Sequence, residues 1–170
     1  RRAIDDLAAL GLVTIRPNRG ARVISFSLGE IEDLYEVRGL LQAHAIKRME
    51  LPLDRPTLDE MARLNEAHIE ANKAGDAHKV FELNNAFHNT LFMRCGNRLL
   101  ASEVRAYAWR THAIRFVGYL DASYMAVAQK DHAAFLVAAE TGDRAELMAV
   151  DRRHIMRPKD AYIAKLMLDD

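Results

Sequence analysis

Three histidines in this chain occupy positions where a polar ring is costly. His88 falls on a helical stripe with Val80, Asn84, Phe87, Leu91 and Cys95. His132 shares a stripe with Ala128, Phe135 and Ala139, and His154 lies one turn beyond Leu147 and Val150. Such stripes are the faces that helices turn toward a bundle core. A buried imidazole must find a partner for at least one ring nitrogen. Three rings from three helices satisfy one another by sharing a divalent cation, because neutral histidine is a good ligand for zinc, nickel or cobalt. Singly, a histidine on an apolar face is more often a hydrogen-bonded core residue, so the case for a cation rests on the three together. Asn84 stands four residues before His88, which puts both side chains on one side of the helix. The other histidines carry less. His44, His68 and His78 sit among charged or small residues and read as surface groups, and His112 is compatible with the bundle interior one helix away.

Neutral ligands leave a cation's charge uncompensated and its coordination incomplete. A small organic acid fills that gap with a carboxylate oxygen inside the core. Arginines would then hold the acid by bidentate pairing. Arg38, set in the mostly apolar run from Leu34 to Leu41, is the first candidate, and Arg110 and Arg115 follow on a later helix. The competing reading pairs Arg38 with an acidic neighbour across a helix interface. A hydrolytic metal enzyme is a second class to weigh, since histidine ligands with open positions also describe such a centre. It would need a general base beside a metal-bound water. Glu82, Asp131 and Asp151 are the nearest acids in sequence. Asp131 and Asp151 flank the stripes, and Glu82 points about 160° away from Asn84 at helical spacing. No nucleophile elbow, glycine-rich phosphate loop or cysteine pair occurs. A purely structural helical module, with incidental histidines, is the third reading.

The elements that must position these residues are helices. The four prolines are Pro17, Pro52, Pro56 and Pro158, leaving a long alanine- and leucine-rich stretch without one. Gly75, Gly96 and Gly142 are each followed by Asp or Asn, a pattern that ends one helix and caps the next. The spacing predicts helices at 28–50, 57–74, 77–95, 98–118, 122–141 and 144–166. The first 25 residues differ. A short amphipathic helix with Ile4, Leu7 and Leu10 on one face stops at Gly11. Two β-prone runs, 12–15 and 21–24, then flank an Arg-Pro-Asn-Arg-Gly turn. A helix followed by a hairpin with arginines at its tip reads as the end of a winged helix, a remnant whose first helices are missing.

The chain has 170 residues, half of them hydrophobic, which is enough for a real core. Its 24 basic and 24 acidic residues cancel, which excludes a chain-wide basic footprint for nucleic acid but not a local one. The longest apolar run, Ala133 to Ala139, is far too short to cross a bilayer. The start, Arg1-Arg2 leading into Asp5 and Asp6, does not read as a signal peptide. The lone Cys95 has no internal disulfide partner and reads as a small core residue. A cytoplasmic location is the expectation.

The run RRAIDDLAALGLVTIRPNRGARV resembles the end of the winged-helix domain of GntR-type transcriptional regulators, where a recognition helix passes through a GLV step into a glycine-tipped wing. SLGEIEDLYEVRGLL is similar to the first helix of the FCD ligand-binding domain of the FadR subfamily. NNAFHNTLFMRCGNRLL, KDHAAFLVAAETGD and DRRHI are similar to its later helices in order and spacing. The resemblance covers essentially the whole chain. It implies an all-α fold, an antiparallel bundle of six to seven helices, preceded by the remnant helix and β-hairpin wing. Residues 1–25 would be the C-terminal fragment of the DNA-binding domain and residues 26–170 the effector-binding domain. It implies a metal set of Asn84, His88, His132 and His154, with Asn84 standing where the family usually has aspartate. An amide oxygen can coordinate but brings no charge, so the exchange should weaken the site or shift its metal preference. The resemblance further implies a carboxylate effector, for which Arg38, Arg110 and Arg115 are the candidate arginines named above. Operator DNA would be met by Arg1, Arg16, Asn18, Arg19, Gly20 and Arg22. A homodimer follows from twofold operators. The expected function is thus a ligand-responsive regulator with a divalent metal ion, and not an enzyme.

Overall fold

The computed structural model describes residues 2–9, 12–16, 20–119 and 122–169. Helix α1 (Arg2–Ala9) leads to an antiparallel hairpin of β1 (Val13–Arg16) and β2 (Gly20–Val23), in which Val13 faces Val23 and Arg16 faces Gly20. Gly20 opens β2 at φ 76°, the left-handed region that glycine enters without a Cβ clash. Leu12 ties the unit together: its N–H donates to Leu7 and its carbonyl accepts from Ile24, both at 3.0 Å. Arg22 is exposed on β2. Arg1, Asn18 and Arg19 lie outside the described residues, and Arg16 is placed as the last residue of β1.

Seven α-helices follow among the described residues: α2 (Leu28–Arg48), α3 (Arg55–Lys73), α4 (Ala77–Phe92), α5 (Arg98–Arg110), α6 (His112–Tyr119), α7 (Ala122–Thr141) and α8 (Arg144–Asp169). The bundle has the all-α architecture that the sequence predicts, with one difference in segmentation. The single helix expected at 98–118 is two, broken at Thr111. There the threonine hydroxyl folds back to the carbonyls of Tyr107 and Ala108, both 3.1 Å away. Such local bonding competes with the helical ladder. The end of the helix expected at 77–95 tightens into a 3-10 turn over Met93–Cys95 and stops at Gly96, φ 69°. Helix α8 runs on through Pro158.

The start of α2 is tightly specified. Ser27 and Glu30 form a reciprocal capping box, each satisfying a backbone N–H of the other. The C-terminal end of α2 is closed by Arg144, whose guanidinium donates to the carbonyls of Ile46, Lys47 and Met49. The Ile46 carbonyl also accepts from the Met49 N–H at 3.2 Å, and the other two are at the end of the helix, where carbonyls lack intrahelical partners.

The main core runs through α2, α3, α4, α5, α7 and α8 and includes Ile46, Met61, Phe87, Leu91, Phe135 and Leu147. Cys95 is buried in it, as expected for a lone cysteine. A second cluster, Ile31, Tyr35 and Ile114, joins α2 to α6 and takes Phe26 from the link after the hairpin, together with Met156, Tyr162 and Ile163 of α8. No described helix is long and apolar enough to cross a membrane.

Candidate metal centre

The three striped helices bring their histidines to one point. His88 of α4, His132 of α7 and His154 of α8 each offer a ring nitrogen, and these nitrogens all lie within 4.8 Å of one another. The Nε2 atoms of His88 and His154 are 3.1 Å apart. Two nitrogens bound to one zinc at roughly 2.0–2.1 Å each, near the tetrahedral angle, stand about 3.3 Å apart. The 3.1 Å separation is that of a ring-to-ring hydrogen bond and is also close to the spacing of two nitrogens on one cation.

The outer contacts set the tautomers. His154 places Nδ1 3.2 Å from Asp131 Oδ2, and an Nδ1–H donated there leaves the Nε2 lone pair facing His88. His132 places Nδ1 3.2 Å from Oδ1 of Asn65 on α3; its Nε2 is buried without a hydrogen-bond partner. That orphaned nitrogen, on a fully buried ring stacked 4.4 Å over Phe87, is the strongest test of fit: it asks for a cation or a donor. The donor set suits a borderline divalent ion. Asn84 is buried one turn before His88 and lines a cavity of about 10 Å³ with His68 and His154, room for about one water-sized group.

Electrostatics keep these rings ready to ligate. Burial pushes His88 and His132 well below the ordinary histidine range, and the neighbouring His154 adds to the shift. His154 is also lowered by burial, against an opposing pull from Asp131. All three are neutral near pH 7. Burial raises Asp131, but hydrogen bonds from His154, Arg157 and Arg153 outweigh it and hold the carboxyl below the usual carboxylate range. Asp131, weighed from sequence as a general base, is instead an ionised anchor for His154, tied to two arginines as well.

Beside the histidines lies a cavity of about 220 Å³ between α2, α4, α5 and α6. Arg38, Gln42, Asn85, His88 and Arg115 form its polar wall; Phe92, Ala101, Val104 and Ala108 form its apolar wall. Its exposed lining residues are Arg105 and Trp109, which mark its mouth. Arg38 and Arg115 also border the 10 Å³ cavity, so both arginines line the two volumes, as His88 lines the larger and His154 the smaller. Arg38 donates to the buried Thr111 hydroxyl at 3.2 Å, and Arg115 donates to Asn85 at 2.9 Å while its Nε is buried without a hydrogen bond. The structure does not bring Arg110 to this place: it is exposed, stacked 4.6 Å over Tyr107.

His44 and His78 are exposed, as their neighbours in sequence suggest. His68 is not. It is buried at 1% exposure, its ring 5.0 Å from that of His132, and burial takes its pKa down to about 4. The signal was available, because Met61, Leu64, Asn65, His68 and Ala71 recur at helical spacing and are all buried. His112 is buried 3.8 Å from Phe81 and away from the triad, its pKa taken to about 3 by burial and by Arg115.

Comparisons with known proteins agree with this architecture. The FCD domain model matches residues 33–157. The Nta operon transcriptional regulator of Aminobacter aminovorans is 28% identical over 134 residues, 78% of this chain. The chain spans 61% of that relative's length. E. coli McbR/YncC superposes with a TM-score of 0.68 at 16% identity, over 99% of this chain and 78% of that one. A GntR-family regulator from Pseudomonas syringae superposes at 0.65 with 22% identity, over 98% and 69%.

Proposed function

This chain belongs to the FCD domain family of GntR-type regulators, and on that premise we propose that it is the sensing part of a ligand-responsive transcriptional regulator, cytoplasmic, homodimeric and not an enzyme. Residues 26–170 form the effector domain, and residues 1–25 are the wing end of a DNA-binding head. Arg1, Arg16, Asn18, Arg19, Gly20 and Arg22 meet the operator. His88, His132 and His154, with Asn84, hold a divalent ion, which when bound would supply a Lewis-acid seat for a carboxylate. Arg38 and Arg115 hold the rest of the acid.

The observation that carries this reading is the convergence of three neutral imidazoles, one with an orphaned buried Nε2, beside a cavity whose near wall holds two buried arginines. The chain's own residues also supply a route outward. Arg115 and Ile114 are adjacent on α6, and Ile114 packs in the cluster that takes Phe26 from the link between hairpin and α2. Effector binding shifts the heads only as far as it favours one arrangement over another.

Elemental analysis of protein purified without chelator tests the reading. Close to one transition-metal ion per chain is expected, and His132→Ala should lose it. No metal in the wild-type protein, before or after incubation with zinc or nickel, would contradict the centre.

A further inference from the structure

The larger cavity says more about its ligand than that it is an acid. We propose that the effector is a carboxylate carrying a compact apolar body about the size of phenylacetate, rather than a hydroxy acid or sugar acid. The inference rests on the sensor reading above and narrows it.

Volume sets the scale. An apolar protein cavity of roughly 150 Å³ takes up benzene. The cavity here is about 220 Å³, which leaves space beyond a ring for a carboxylate and one or two linking carbons. Polarity sets the orientation. The acid belongs at the wall of Arg38, Arg115 and His88, where the buried Nε of Arg115 has no hydrogen bond and Arg115 itself is only 5% exposed. A carboxylate oxygen satisfies that donor. Much of the remaining lining is carbon: Phe92, Ala101 and Val104 are buried, with Ala108 beside them, and Asn89 is a polar neighbour on α4. Gln42 Oε1, buried without a hydrogen-bond partner, and Asn89 could take one or two hydroxyls, but the further hydroxyls of a sugar acid, pressed on carbon, would lose water and find no partner. A small acid such as lactate would leave that carbon uncovered and forgo its burial. Small alanine side chains at 101 and 108 leave room there for the apolar body.

The chain's single tryptophan, Trp109, stands at the mouth and reports occupancy directly. The zinc-loaded chain is titrated with phenylacetate, lactate and gluconate, following Trp109 fluorescence and melting temperature. Phenylacetate should give a saturable change and bind at least about tenfold tighter than either hydroxy acid. Ala108→Phe should abolish that binding while the variant keeps its zinc, which shows that it remains folded around the histidines. The ranking on the wild-type chain stands without the variant. Lactate or gluconate binding as tightly as phenylacetate would overturn the inference and leave a metal-dependent acid sensor standing. Zinc uptake with no binding of any of the three acids would overturn the inference and the acid-sensing reading with it.

Discussion

At the scale of single residues, Asn84 and Asp151 carry the sharpest expectations. In the proposed centre Asn84 would add a neutral donor to three neutral rings. Asn84→Asp would bring a negative charge to a cation in a poorly screened core, so zinc affinity should rise in a calorimetric titration. An unchanged or weaker affinity would mean that residue 84 does not ligate. Asp151 concerns stability. It is buried on α8, its Oδ1 lacks a hydrogen bond, and burial pushes its pKa up to about 7 against the opposing charge of Arg38. Its folded value lies above the unfolded value of 3.8, so the folded state holds the extra proton between the two. Stability therefore falls as pH rises from 3.8 through 7. Asp151→Asn keeps the shape and stays neutral. Its melting temperature should match the wild type near pH 4 and exceed it at pH 8, by up to about 4 kcal/mol in stability. Equal melting temperatures at pH 8 would show that the carboxylate is accommodated when charged.

At the scale of elements, the closure of α2 by Arg144 is the contact that most clearly joins distant parts of the chain. Its three carbonyl acceptors sit at the end of the helix that carries Arg38 and Gln42. Arg144→Met keeps most of the stem and removes the donors, and should cost roughly 1–3 kcal/mol by urea unfolding. A loss below about 0.5 kcal/mol would assign those carbonyls to solvent. Helix positions were legible in the sequence because glycine followed by Asp or Asn marks a stop and a cap, as at Gly75-Asp76 and Gly96-Asn97. The break at Thr111 was not, because a threonine bonding to its own helix leaves no proline or glycine to mark it. His68 was misplaced for a different reason. Charged neighbours such as Glu66 and Glu70 describe the opposite face of α3, and only the stripe through Met61 and Leu64 reports the buried one.

At the scale of the whole molecule, the triad was legible because three separate stripes each carried one histidine. Which acid would orient it was not. Asp131 and Asp151 both flank those stripes, and only the packing of α7 against α8 decides that Asp131 meets His154 and Asp151 does not. The break at Thr111 separates Arg115 on α6 from Arg110 at the end of α5; they are five positions apart in sequence and respectively buried and exposed. In the proposed function this bundle senses a carboxylate through a metal ion that its histidines would hold. The most direct test measures melting temperature with zinc, with phenylacetate, and with both, for the wild type and for His88→Ala, His132→Ala and His154→Ala, and then recovers the acid for analysis. Acid at a hundred times its dissociation constant should add roughly 2.7 kcal/mol, several degrees for a domain of this size. That gain should require zinc, vanish in each histidine variant, and leave the acid chemically unchanged. A gain that persists without metal and in the histidine variants, or recovery of the acid as a product over repeated turnovers, would contradict the claim.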